Sequence, residues 1–324
     1  MTKIYKFFFF FSLVALLTAC GGSSDVNNQN NEIVAEEIDA NVHAVETVET
    51  VETVEVADTN VPIWIIGDST VSTYAKDDKR RGWGQMIIPM FQNPSRVDNR
   101  ARSGASSKSF KTVPNYDTNR FWGNGSTHTS DGNKAGLKEN ILNTDTSKGG
   151  FLIIQFGHND GYSKTYYPIK RTVPGLGNEF DIQLMEYINF AKKHNITPVL
   201  VTPMARMFHS SLTESYIHIE KKLSDNTPPP WEDMRGKKGD WPQTIKDIAK
   251  RENLILLDLT QKSKVHFTND FNSDKAIRDK YSHDGEDFTH FNMIGAKKMA
   301  DFIKELACDV EKVRNIGLCN QFKE

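Results

Sequence analysis

The chain has 324 residues, 38% of them hydrophobic and 25% charged, with a formal net charge of −2. That balance is ordinary for a globular protein and excludes a chain disordered throughout, because enough apolar side chains are present to build a core. No stripe of Lys and Arg interleaved with aromatics occurs, which excludes a nucleic-acid surface as the expected partner.

The first segment departs from the average. Lys3 and Lys6 precede an apolar run over residues 7–19, the charge-then-apolar order of a secretory signal and too short to span a bilayer comfortably. Leu17-Thr18-Ala19-Cys20-Gly21 resembles the lipobox of bacterial lipoproteins. The resemblance implies that residues 1–19 are a signal peptide and that Cys20 is lipidated, so the protein is expected to be exported and anchored to a bacterial membrane, on its periplasmic or cell-surface face.

Residues 20–60 read as a linker. The segment opens on the amide tract Asn27-Asn28-Gln29-Asn30-Asn31 and continues in a Val-Glu-Thr repeat over residues 45–55, whose period of three suits neither strand nor helix. Ten of the 42 Asp and Glu lie there, and two of the 40 Lys and Arg lie in the leader, so residues 61–324 hold 38 basic and 32 acidic side chains. That mild basic excess is compatible with an anionic polysaccharide, and equally with solvated charge that has no partner.

From residue 61 onward, short apolar runs bounded by turn residues alternate with helical periodicity. The runs over 62–66, 151–156, 197–202 and 254–259 are predicted strands, with a weaker one near 96–100. Apolar steps of three and four predict helices over 82–91, 180–193, 241–251 and 293–306. Such alternation implies an α/β fold with a doubly wound sheet, in which ligands bind beyond the carboxyl ends of the strands. Cys308 and Cys319, near the end of a chain bound for an oxidising compartment, are a disulfide candidate, with two free thiols as the alternative.

Chemistry-bearing residues follow the predicted strands. Gly67-Asp68-Ser69 presents a serine at a sharp turn after the first strand, which marks either a nucleophile or an ordinary turn. Asp287-Phe288-Thr289-His290 puts a carboxylate and an imidazole on one local turn, where Asp287 can orient His290 as a general base; helix capping is the plainer role for the aspartate. The small-residue loop around Gly104 offers a backbone N–H, and Asn159, in Gly157-His158-Asn159-Asp160, offers a side-chain amide, both suited to an oxyanion.

Gly67-Asp68-Ser69, Gly104, Gly157-x-Asn159 and Asp287-x-x-His290 resemble, in order, the four blocks of the SGNH or GDSL hydrolases. Longer stretches, among them Gly82-Trp83-Gly84, residues 99–110, 156–160, 197–206 and 287–296, are similar to rhamnogalacturonan acetylesterases of the carbohydrate esterase family 12 type. The resemblance implies one domain over 61–324, a flavodoxin-like three-layer α/β/α sandwich around a mainly parallel five-stranded sheet. It further implies Ser69 as nucleophile, His290 as base, Asp287 as its partner, and an oxyanion hole from Ser69, Gly104 and Asn159. No metal or organic cofactor is implied.

The expected reaction is hydrolysis of an acetyl ester on an acidic polysaccharide such as rhamnogalacturonan, by a monomer, through an acetyl-enzyme. Other esters of the same superfamily (xylan or another glycan acetate, lipid, thioester) and a non-catalytic glycan-binding surface protein are the alternatives. Trp83, His158, Arg206 and Trp231 are candidates for substrate contact. Trp83 also reads as core and His158 as a structural hydrogen-bonding residue. Two insert-like stretches, 161–178 and 206–240, are expected to overhang the site; Tyr162, Tyr166, Tyr167, Lys170 and Arg171 in the first are suited to sugar rings and uronate carboxylates, or to packing the loop on the body. His283 and Asp284 stand close to the proposed pair as decoys.

Overall fold

The computed structural model describes residues 60–111, 127–129, 132–134, 136–161, 170, 172–207, 240–309 and 316–324. Expectations for the leader, Cys20, the linker, Tyr162, Tyr166, Tyr167, Arg171 and Trp231 fall outside these residues.

In chain order the elements are β1 (Ile63–Gly67), α1 (Trp83–Ile87), β2 (Val97–Asn99), β3 (Thr127–Thr129), β4 (Gly132–Lys134), α2 (Leu137–Leu142), β5 (Phe151–Gln155) and α3 (Glu179–Lys193). There follow β6 (Thr197–Val201), α4 (Trp241–Glu252), β7 (Ile255–Leu257), α5 (Leu259–Asn269), α6 (Asp274–Tyr281), α7 (Met293–Ala307) and α8 (Ile316–Cys319). β3 and β4 form a separate antiparallel ribbon. The other five strands make one sheet in the order β2-β1-β5-β6-β7, and every pair is parallel.

Strand periodicity explains the layers. Successive side chains of a strand point to opposite faces, so Ile63 and Ile65 join one core while Trp64 and Ile66 join the other. The first core is completed by α1, α5, α6 and α7, through Trp83, Phe267, Ile277 and Met299. The second is completed by α2, α3 and α4, through Leu137, Leu184 and Ile245. With both faces covered the strands read as continuous apolar runs, and each fully buried Ile or Leu contributes about 1.5–3 kcal/mol.

Four helices start on side-chain caps: Asp240, Asp258, Ser273 and Asn292 accept the N–H groups of Gln243, Gln261, Ala276 and Gly295. The cap at Asp258 explains why β7 ends at Leu257 and not at 259, since Leu259 already opens α5. The predicted helix over 82–91 is shorter, because Pro89 has no N–H to donate and the chain passes into a 3-10 turn over Ile88–Met90.

Cys308 and Cys319 are bonded, joining the end of α7 to α8. Just beyond them Phe322 stacks on Phe91 with ring centroids 4.3 Å apart. The bridge closes a separation of 11 residues, for which the chain-entropy account gives roughly 3 kcal/mol. Replacing both cysteines by serine is expected to lower the unfolding free energy by about that amount, measured by urea titration.

Candidate active site

Strand order reverses direction on either side of β1, so the switch point lies between β1 and β5 at their carboxyl ends. Ser69 leaves β1 there and Asn159 leaves β5 there. Gly67 is needed for the approach: a Cβ on it would lie 2.6 Å from the Gln155 carbonyl oxygen. The chain then folds back at once, with the Val71 and Ser72 N–H groups donating to the Asp68 carbonyl.

His290 Nε2 lies 2.9 Å from Ser69 Oγ, and its Nδ1 lies 2.6 Å from Asp287 Oδ2. Residues separated by 221 positions thus meet at hydrogen-bond distance. The other Asp287 oxygen accepts the Thr289 and His290 N–H groups at 2.6 and 3.0 Å, which sets the turn. Partial burial opposes ionisation of Asp287, but the hydrogen bond and charge of His290 and these two N–H groups outweigh it and hold the carboxyl well below its usual range. The capping role falls to Asn292. His283 does not compete for Ser69: its Nδ1 lies 3.3 Å from Asp284 Oδ1 without the alignment of a hydrogen bond, and Asp284 instead receives the Glu286 and Asp287 N–H groups.

Among the described residues neither the Ser69 nor the Gly104 N–H donates to a protein acceptor. Gly104 has φ +75, a left-handed conformation that an L side chain rarely adopts, and this sets its N–H direction. Asn159 Nδ2 gives one proton to the Ala105 carbonyl at 2.9 Å, which orients the amide and leaves its second N–H. A cleft of about 500 Å³ joins these groups, lined by Ser69, Gly104, Asn159, Lys170, Arg206 and His290 together with Phe288 and polar neighbours.

Two sequence-based substrate candidates are corrected. Trp83 is fully buried and donates its indole N–H to Gln155 Oε1 at 2.7 Å, so it belongs to the core. His158 is also buried, with Nδ1 3.1 Å from Asp68 Oδ2 and Nε2 3.1 Å from the Met204 carbonyl, so neither ring nitrogen is left for a sugar. Arg206 does line the cleft.

Sequence reasoning missed the polar chain beneath Ser69. Trp83 donates to Gln155, Gln155 Nε2 to Thr70 Oγ1, and Thr70 Oγ1 to Asp68 Oδ1, each at 2.7 Å. Tyr74 adds a bond from its hydroxyl to the Ser69 carbonyl at 2.9 Å. The signal was present, since a Gln inside the apolar run Phe-Leu-Ile-Ile-Gln-Phe must find partners when buried.

The comparisons agree with this architecture. Residues 63–303 match the model of the GDSL-like lipase/acylhydrolase family. Among curated proteins, the probable rhamnogalacturonan acetylesterase YesY of Bacillus subtilis (strain 168) is 28% identical over 241 residues, covering 74% of this chain and 89% of that protein. The rhamnogalacturonan acetylesterase RhgT of the same strain is 24% identical over 256 residues, covering 76% and 88%. A solved structure, YXIM of Bacillus subtilis, is similar at TM-score 0.51 and 23% identity over 81% of this chain; the chain spans 58% of that protein's length, and the likeness is one of fold. The chain belongs to the GDSL-like lipase/acylhydrolase family. It is a carboxylic ester hydrolase.

Asp160 follows Asn159 and is wholly buried. Its carboxyl accepts from the Ser107 N–H and hydroxyl and from the Thr172 hydroxyl, tying the Gly104 loop to the Asn159 turn. Burial, reinforced by the charge of Asp68, pushes the carboxyl up to about 7 against those hydrogen bonds. The folded state therefore holds this proton where the unfolded chain, near 3.8, has lost it. The stability that it contributes is full below the unfolded value and is lost as pH rises through the folded one. Asp160→Asn keeps an acceptor for the three donors and does not titrate. Its melting temperature relative to wild type is expected to rise between about pH 4 and about pH 8, read by thermal scans across that range.

Proposed function

We propose that the protein is a serine esterase that removes acetyl groups from rhamnogalacturonan or a related acidic polysaccharide, with Ser69 as nucleophile. The observation that carries this reading is the contact of His290 Nε2 with Ser69 Oγ at 2.9 Å, backed by Asp287 at 2.6 Å. Ser69 Oγ attacks the acetyl carbonyl as its proton passes to His290 Nε2, and Asp287 stabilises the imidazolium. The oxyanion receives the Ser69 and Gly104 N–H groups and the second N–H of Asn159. Collapse expels the sugar oxygen, which takes the proton from His290 and leaves acetyl-Ser69. A water then attacks the acetyl carbonyl as its proton passes to His290 Nε2, and collapse returns that proton to Ser69 Oγ and releases acetate.

The cleft suits a small acyl group on a polar alcohol. Phe288 is the one large apolar side chain among its described lining residues, which argues against a long fatty acyl chain. Two curated relatives carry rhamnogalacturonan acetylesterase names, and this supports the pectic substrate over other acetylated glycans. Ser69→Ala is expected to lower turnover of a soluble aryl acetate by at least about 10³-fold with a melting temperature close to wild type, and Asn159→Ala to lower it by about 10²- to 10³-fold with a lower melting temperature, because the buried Ala105 carbonyl loses its donor. Wild-type rates in the Ser69 variant would remove the serine from its role.

The lipobox-like residues support a second part of the reading, in which residues 1–19 are cleaved, Cys20 carries lipid, and residues 20–60 tether the hydrolase domain to a bacterial membrane. Cys20→Ser is expected to move the protein from the membrane fraction to the soluble fraction with aryl acetate turnover unchanged. Retention with membranes would refute the anchor.

A further inference from the structure

Among the described residues Arg206 is the one Lys or Arg that is buried. Arg100, with its side chain 8% exposed, meets Asp98 at 2.6 Å. Arg206 is only 6% exposed, and among the described residues no carboxylate pairs with it. Nη1 donates to the Thr289 hydroxyl, while Nε is buried with no hydrogen-bond partner. A guanidinium keeps its charge under all physiological conditions, so burying it without a counter-ion is costly, and an unmade bond at Nε adds to the cost.

Its position gives this cost a use. Arg206 lines the same cleft as Ser69, His290 and Asn159. The Nη1 bond to Thr289, together with the bond from the Met207 N–H to the Phe288 carbonyl at 2.8 Å, fixes the guanidinium against the turn that carries His290. With Nη1 engaged and Nε enclosed, Nη2 is the nitrogen that remains for a ligand in the cleft, and it can give a charge-assisted hydrogen bond to a carboxylate oxygen. Of the three carboxylates on this rim, Asp284 receives backbone N–H groups and Asp287 holds His290, while Glu286 is exposed and forms no ion pair with Arg206. Lys170 adds positive charge across the cleft, where its Nζ lies 3.4 Å from the position of a Cβ on Gly104.

We propose that Arg206 reads a free carboxylate of the substrate, so that the enzyme prefers acetyl esters on a uronate, or on the sugar next to one, over esters of neutral or methyl-esterified chains. The proposal rests on the esterase reading above and adds the residue that selects the substrate. Thr289 immediately precedes His290, so a carboxylate held by Arg206 belongs to the sugar bearing the ester or to its neighbour. The charge-assisted pair forms in a partly desolvated cleft, where it contributes more than it does at an open surface.

The test compares acetate release at low salt from acetylated polygalacturonate with free carboxylates and from the same polymer after methyl esterification, alongside a small aryl acetate. Wild type is expected to show kcat/KM about ten- to a hundredfold higher on the free acid. In Arg206→Gln this ratio is expected to fall close to one, with Arg206→Lys in between because an ammonium keeps the charge but not the position that the Thr289 bond gives the guanidinium. An arginine that only braces Thr289 would lower both polymers in proportion and keep the ratio, which would overturn the proposal. Equal rates on the two polymers in wild type would overturn it as well, while leaving the esterase reading intact. No Ser69-dependent release from any of the three substrates would overturn the esterase reading and this one with it.

Discussion

Presentation of Ser69 depends on the buried contact between Asp68 and His158. A serine that leaves a parallel strand at a sharp turn has few neighbours of its own, so the residues beneath it must set its direction. Asp68 meets the His158 ring at 3.1 Å through one oxygen and binds Thr70 through the other, and His158 reaches on to the Met204 carbonyl. One buried contact thus pins together the turns after β1, β5 and β6, which are the three turns that border the cleft. Burial opposes charge on Asp68, but His158 and Thr70 overcome it and keep the carboxyl below its ordinary range. Breaking a buried pair from one side typically costs about 3–5 kcal/mol, because the remaining group is left without compensation.

The cleft above this base divides its tasks by side. Lys170 lies beside the Gly104 loop that offers the backbone N–H and holds the Asn159 amide, and Arg206 is bonded to the Asp287–His290 turn. Donors fixed before the reaction begins need no reorganisation when negative charge develops on the carbonyl oxygen. The same loops that aim these donors carry the structural bonds of Ala105, Ser107 and Asp160. Oxyanion geometry and loop stability are therefore held by one set of contacts.

Much of this was legible in the sequence, for reasons that can be named. Buried parallel strands read as short apolar runs because both faces are covered, so four of the five sheet strands stood out. β2 was weaker, since Val97-Asp98-Asn99 is an edge strand of three partly exposed residues. Helices α5 and α6 escaped notice: Leu259–Asn269 has few apolar residues spread along its length, and its start is set by the Asp258 cap. At the site, Ser69, Gly104, Asn159, Asp287 and His290 were visible because their motifs are local. The pairing of Trp83 with Gln155 and of Asp68 with His158 was not, because separations of 72 and 90 residues leave no periodic trace.

Strand direction has one more consequence. β1 runs from Ile63 to Gly67, and at about 3.3 Å per residue its two ends lie roughly 13 Å apart. Asn60 and Pro62 therefore lie at the amino edge of the sheet, while Ser69 and Asn159 leave its carboxyl edge. A long polymer can be worked at that carboxyl edge without having to slip beneath the sheet.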